Sequence, residues 1–218
     1  MSDLQCPARF LVARHGEAMY ADPELLSDDG GWLTDLGKEQ AADLADRLRG
    51  ERVAAVYTSR LARARETGAV VGDRLGLTAA TVEGVQEFSV GSLAGTPAMG
   101  PDAREVFVAW VNGQLDRRWP GGETGSEVVA RFVAGVEALA DRHCGETVLV
   151  VSHGGVMTLA IPNTAENVRP ELALDAMIPN CAVAEVEVDA DGWRLVGACP
   201  GKRWEEPDPE VGAPGAAD

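Results

Sequence analysis

Phe10-Leu11-Val12-Ala13-Arg14-His15-Gly16-Glu17 and Thr147-Val148-Leu149-Val150-Val151-Ser152-His153-Gly154-Gly155 are the two stretches that decide the fold. Each begins as a short, unbroken apolar run, the pattern of a strand buried on both faces. Each then passes at once to a histidine and a glycine. Between and around them the apolar period changes to that of helices. Thr34 reads as the N-cap of a helix with Leu36, Ala41, Leu44, Ala45 and Leu48 on one face and Gly50 as its stop. Residues 53–57 read as a strand, and residues 59–75 as a helix that opens at Ser59 and ends at Gly76. Residues 81–85 read as a short strand and 103–111 as a short helix. Ser126 is expected to open an amphipathic helix with Val129, Phe132, Val133, Val136, Leu139 and Ala140 on one face, ended by Gly145. A short helix after His153 stops near Pro162. Ala184, Val186 and Val188 alternate with Glu185 and Glu187, and the turn at 189–192 makes a hairpin with 193–196.

Strands alternating with helices imply an α/β class, a three-layer α/β/α sandwich whose sheet is mainly parallel with an antiparallel edge. The reading is one domain over residues 1–205. Residues 88–124, punctuated by glycine and proline, are expected to form an insertion over the site. Residues 206–218 are acidic and rich in Pro and Gly, and are expected to be disordered.

The chain has 218 residues and a formal net charge of −16, from 19 Lys+Arg against 35 Asp+Glu. Such a surface repels nucleic acid and anionic membranes, so neither is expected as a partner. An anionic substrate would need a locally basic pocket. The four cysteines, Cys6, Cys144, Cys181 and Cys199, form no C-x-x-C pair and read as reduced structural thiols. The early apolar run is too short for a signal peptide, and no run approaches the roughly 20 apolar residues of a membrane span. The expected location is cytoplasmic. A small phosphorylated substrate and a second copy of the chain in a homodimer are the partners considered.

Ligands of open α/β sheets bind beyond the carboxyl ends of the strands. Two of the three histidines, His15 and His153, fall there, each followed by glycine that lets backbone N–H groups approach an anion. The third, His143, reads as a partner of a helix C-terminus.

From these residues outward the sequence resembles the histidine phosphatase superfamily, which includes cofactor-dependent phosphoglycerate mutases and many phosphomonoesterases. The resemblance spans about residues 8 to 196. It is carried by Arg14-His15-Gly16, by Leu33-Thr34-Asp35-Leu36-Gly37, by the run Ser59-Arg60-Leu61-Ala62-Arg63-Ala64-Arg65-Glu66-Thr67, by Glu87 with Gly91 and Gly95, by Pro120-Gly121-Gly122-Glu123-Thr124, and by Ser152-His153-Gly154-Gly155. It implies a phosphoglycerate mutase-like fold and a metal-independent phosphomonoesterase without a cofactor. His15 would be a nucleophile that forms a phosphohistidine, with Glu87 as general acid and base. Arg14, Arg60 and His153 would hold the phosphoryl oxygens, with Gly16, Glu17 and Gly154 in the substrate site. Arg63 is read as a salt-bridge residue.

The sequence departs from the mutase pattern at Tyr20 and Ala21, where that subgroup has W-N, and at Leu93 and Ala94, where W-E is usual. The stretch 88–124 contains no lysine. These departures favour hydrolysis over a phosphoglycerate mutase-type transfer, which is kept as the alternative. Phe88, Phe107, Trp110 and Trp119 are candidates to line the substrate pocket or to pack the insertion onto the domain. Different classes are a non-catalytic phosphate-binding module, a metallohydrolase, which no H-x-H or H-E-x-x-H spacing supports, and a serine hydrolase, whose G-x-S-x-G elbow is absent around Ser152.

Overall fold

Unbroken apolar runs cannot sit at a sheet edge without exposing one face, and both deciding strands are central. The computed structural model describes residues 6–28, 31–98, 100–168 and 178–197. In chain order its elements are β1 (Ala8–Arg14), β2 (Ala18–Met19), β3 (Trp32–Leu33), α1 (Asp35–Leu48), β4 (Val53–Thr58), α2 (Ala62–Leu75), β5 (Ala79–Thr81), α3 (Pro101–Val111), α4 (Gly125–Ala140), β6 (Thr147–Ser152), α5 (Gly154–Ala160), β7 (Val183–Asp189) and β8 (Gly192–Gly197). Six strands form one sheet in the order β5-β4-β6-β1-β7-β8, and β2 pairs with β3 in a small hairpin. The four strands β5, β4, β6 and β1 run parallel; β7 and β8 are antiparallel. The expected sandwich with an antiparallel edge is what the chain forms.

Strand alternation divides the core in two. Leu11, Ala13, Leu149 and Val151 face one way, onto Ala41, Leu44 and Ala45 of α1 and Ala64 and Val71 of α2. Phe10, Val12, Val148 and Val150 face the other way, onto Val128, Phe132 and Val136 of α4 and Val156 and Leu159 of α5. Fully burying one such Leu, Val or Phe side chain stabilises by roughly 1.5–3 kcal/mol. Thr34 caps α1, its hydroxyl accepting from the Gly37 N–H.

The register places the site. Arg14 of β1 lies opposite Ser152 of β6, and Thr58 of β4 opposite Val151. The residues that follow, His15, His153 and Ser59, therefore leave the sheet side by side at its carboxyl edge.

Four local expectations shift. The helix expected from Ser59 begins at Ala62, with Leu61 as its cap residue, because the Ser59 hydroxyl is held by His153 instead. The strand expected at 81–85 lies at Ala79–Thr81, since Gly84 turns the chain at φ +94°. Helix α4 starts at Gly125 under a reciprocal cap between Thr124 and Glu127, not at Ser126. It ends at Ala140, before Gly145, whose φ of +72° belongs to the turn into β6. Residues 206–218 and Cys199 lie outside the described residues. Among the described residues no helix is long and apolar enough to cross a membrane.

Candidate active site

His15 is buried, and both of its ring nitrogens have partners. Nδ1 lies 2.7 Å from the Gly16 carbonyl oxygen, which can only accept, so Nδ1 carries the proton. Nε2 then bears the lone pair, and the Arg63 Nε–H donates to it at 3.2 Å. The backbone around the ring is tied down from three sides. The Gly16 N–H donates to the Thr67 hydroxyl at 3.0 Å, the Asn180 amide donates to the His15 carbonyl at 2.9 Å, and the Cys181 N–H donates to the Arg14 carbonyl at 3.1 Å. Gly16 and Gly37 must both lack side chains, because a Cβ on either would collide with the backbone of the other segment. This is the physical content of the Leu33–Gly37 motif.

The second imidazole packs against the first, ring centroids 5.1 Å apart. His153 is fully buried; its Nε2 lies 2.7 Å from the Ser59 hydroxyl. Two buried polar atoms in this cluster, Arg14 Nε and His153 Nδ1, have no hydrogen-bond partner in the protein. Most buried polar side-chain atoms have one, so Arg14 Nε, on a residue of the cavity wall, is a donor available to a polar ligand. The rest of the Arg14 guanidinium is anchored through Nη1, which donates to the Ile178 carbonyl.

Glu87 closes the cluster. Its carboxylate accepts from the Gly155 N–H at 2.9 Å and the Val156 N–H at 2.8 Å, at the start of α5. A Cβ at Gly155 would sit 2.7 Å from the Glu87 Oε1 and from the Phe88 ring, so a side chain there would displace the carboxylate from its place. Arg131 of α4 holds the segment that carries Glu87: its Nη1 donates to the carbonyls of Gly84 and Gln86, while Nε and Nη2 bind the Glu123 carboxylate. Arg14, His15, Arg63, Glu87, Gly154 and Gly155 share the wall of a cavity of about 470 Å³, which widens past them between Leu25, Phe88, Phe107 and Trp119.

Burial, then the positive charges of Arg63 and Arg14, hold the His15 pKa down at about 3 against the Gly16 hydrogen bond. Burial, then His15 and the arginines, push His153 down as well. Both rings are neutral at pH 7. Burial pushes the Glu87 carboxyl up, against the backbone N–H groups and Arg63, which favour its charged form. Burial also lowers the Arg14 pKa.

The histidine shifts set a stability window. Between the ordinary value of 6.5 and about 3, an unfolded chain binds a proton that folded His15 refuses. Stability from this group is therefore complete above pH 6.5 and is lost as pH falls toward 3, up to about 5 kcal/mol. His153 adds in the same direction. Glu87 has the opposite sign, its contribution being lost as pH rises. Urea titrations from pH 7 to 4 are expected to show falling stability. In His15→Ala the slope should drop by about 1.4 kcal/mol per pH unit. An unchanged slope would contradict the buried neutral ring.

The structure brings Arg14, His15, Glu87 and Gly154 together on the cavity wall. Gly16 and the fully buried His153 adjoin His15 without lining the cavity, and two further expected residues stand apart. Arg60 is exposed in the loop before α2 and does not line the cavity. The Glu17 side chain does not line the cavity either; its backbone N–H bonds to Gln40 and its carbonyl accepts from the Thr34 N–H. Arg63, read from sequence as a salt-bridge residue, occupies the place expected of Arg60. Since α2 begins at Ala62, residue 60 still points outward, whereas residue 63 lies in the first turn and faces the sheet. The spacing of four from Ser59 was the available signal. Sequence reading also missed Ser59, Arg131, Asn180 and Tyr20, whose ring lies 5.6 Å from the Arg63 guanidinium carbon. His143 sits elsewhere, between the Tyr57 hydroxyl at 3.0 Å and the Glu146 carboxylate at 2.7 Å. Of the aromatic candidates, Phe88, Phe107 and Trp119 line the cavity, while Trp110 is buried behind them.

The family model of the histidine phosphatase superfamily (branch 1) matches residues 10–199. A probable phosphoglycerate mutase, GpmB, of Yersinia enterocolitica is 27% identical over 191 residues, covering 86% of this chain and 88% of its own. Among solved structures, Bacillus stearothermophilus YhfR is 26% identical with a TM-score of 0.74, covering 89% of this chain and 96% of its own. A mycobacterial glucosyl-3-phosphoglycerate phosphatase, solved as a complex with VO3, shares the fold at 24% identity and a TM-score of 0.71, over 86% of this chain and 96% of its own. With its two histidine turns adjacent at the carboxyl edge of the sheet, the chain belongs to the histidine phosphatase superfamily.

Proposed function

We propose that the protein is a phosphomonoesterase that works through a phosphohistidine on His15. The observation that carries this reading is the state of the His15 ring: neutral, with Nδ1–H fixed on the Gly16 carbonyl, leaving the Nε2 lone pair toward a guanidinium. A phosphoryl group placed there would meet an unprotonated nitrogen on one side and the Arg14 and Arg63 donors around its oxygens. Nε2 attacks phosphorus, the P–O ester bond breaks, and protonated Glu87 gives its proton to the leaving oxygen. The Glu87 carboxylate then takes a proton from water, whose oxygen attacks phosphorus. The P–N bond breaks, releasing inorganic phosphate and free His15. Buried donors facing charge spread over three phosphoryl oxygens act at a lower effective dielectric than water, where each is worth several-fold more.

The test is a rapid quench with labelled phosphomonoester. An alkali-stable, acid-labile label on His15 supports the reading, and turnover without any such adduct contradicts it. Phosphoglycerate mutase-type transfer is the second reading, favoured by the name of the relatives at 27% identity. Phosphoryl transfer exceeding hydrolysis in the presence of a bisphosphate primer would establish it.

A further inference from the structure

Beyond the catalytic cluster the cavity changes character. Its inner wall carries Arg14, Arg63 and Glu87, but its outer wall is built of Leu25, Leu26, Phe88, Phe107 and Trp119, with Arg104 as the one charged side chain among the outer lining residues. The aromatic part is preorganised. Phe88 stacks on Phe107 with centroids 6.0 Å apart and meets Trp119 at 5.0 Å, and the Trp119 indole N–H is already spent on the Val90 carbonyl at 2.8 Å. These rings therefore offer faces rather than hydrogen bonds. A hydroxyl-rich sugar or glycerate body placed against these rings would find partners only at the margins, in Tyr20, Ser27, Arg104 and Thr158, and each group left unpaired costs about 1–3 kcal/mol. At about 470 Å³, the cavity also falls in the range, roughly 300–1,000 Å³, of sites that enclose a whole small molecule.

We infer that the natural substrate is the phosphate monoester of a medium-sized apolar alcohol, alkyl or aryl, whose body lies between Leu25 and the Phe88–Phe107–Trp119 wall. This rests on the phosphomonoesterase reading and names the leaving group for it. By its name, the mycobacterial glucosyl-3-phosphoglycerate phosphatase acts on a polar phosphate, a different leaving group from the one inferred here.

The test holds leaving-group acidity constant by using primary alkyl phosphates, from ethyl to hexyl, beside 3-phosphoglycerate. Each added methylene buried against the wall is expected to raise kcat/KM about threefold to fourfold until the cavity is filled. Phe107→Ala should lower the hexyl-to-ethyl ratio by about tenfold. Leu25→Asn, at an exposed loop position on the opposite side, should lower it too and does not depend on repacking the aromatic wall. Hydrolysis that is flat with chain length, or that prefers 3-phosphoglycerate and loses this preference in Arg104→Gln, overturns the apolar assignment while leaving the phosphatase reading in place. If neither alkyl phosphates nor 3-phosphoglycerate are hydrolysed and vanadate does not bind, both fall together.

Discussion

His15→Ala is expected to lower kcat/KM for every phosphomonoester by about 10⁴-fold or more, with the label on residue 15 lost. Phosphate monoester hydrolysis has one of the highest uncatalysed barriers, and the covalent route divides it into two displacements at phosphorus, with His15 Nε2 entering in the first and leaving in the second. No other group in the cluster can replace that nitrogen. His153 has its Nε2 on Ser59 and is fully buried. Arg14 and Arg63 stay in place, so vanadate should still bind to the variant, and residual catalysis from charge stabilisation alone sets the floor. Activity within tenfold of wild type would end the phosphohistidine reading. Loss of vanadate binding with loss of activity would show only that the pocket had collapsed, and Tm measured beside it separates the cases.

Glu87→Gln carries the second large effect, and its form depends on the leaving group. For alkyl phosphates, whose alkoxide needs a proton, the first step is expected to slow by about 10²–10⁴-fold. Nitrophenolate needs no such help. With p-nitrophenyl phosphate the variant should release a burst of one nitrophenol per enzyme and then stall, because water attacking the phosphohistidine has lost its base. The wild-type enzyme should lose kcat/KM toward alkyl phosphates as pH rises and Glu87 ionises, the burial-raised pKa pushing that limb upward from the usual carboxylate range. In Glu87→Gln the limb should vanish. The amide is close in shape, and its oxygen can still accept one of the N–H groups of Gly155 and Val156, so a folded protein is expected. A uniform loss for alkyl and nitrophenyl esters, with no burst, would assign Glu87 to structure rather than proton transfer.

The fold was legible because its two deciding strands are apolar on both faces, which leaves them only the centre of a sheet. Their adjacency was not legible from either strand alone. It follows from the register of Arg14 with Ser152, which only the assembled sheet shows. His15 and His153 could be read because each follows an apolar strand, whereas Glu87 could be named only through the resemblance of its stretch to a family motif. Arg60 and Arg63 differ by less than one helical turn, so exchanging them required only a helix start placed three residues early, and the cause was Ser59, which serves His153 instead of capping the helix. Arg131 was unreadable for another reason. It acts on backbone carbonyls distant in sequence, and a mid-helix arginine on a partly polar face leaves no local mark of that.

That arginine joins positions on either side of the apolar wall, Gly84 and Gln86 before it and Glu123 after it. The Ser92 N–H on the Pro120 carbonyl closes the neck further. The polypeptide between Ser92 and Pro120 enters and leaves at this fixed neck, and Glu87 lies before it, so the loop supplies none of the phosphoryl-handling groups. Its sequence can therefore drift, lengthen or be exchanged while the reacting atoms keep their positions, so descendants of one such chain can diverge in diet without reinventing their chemistry.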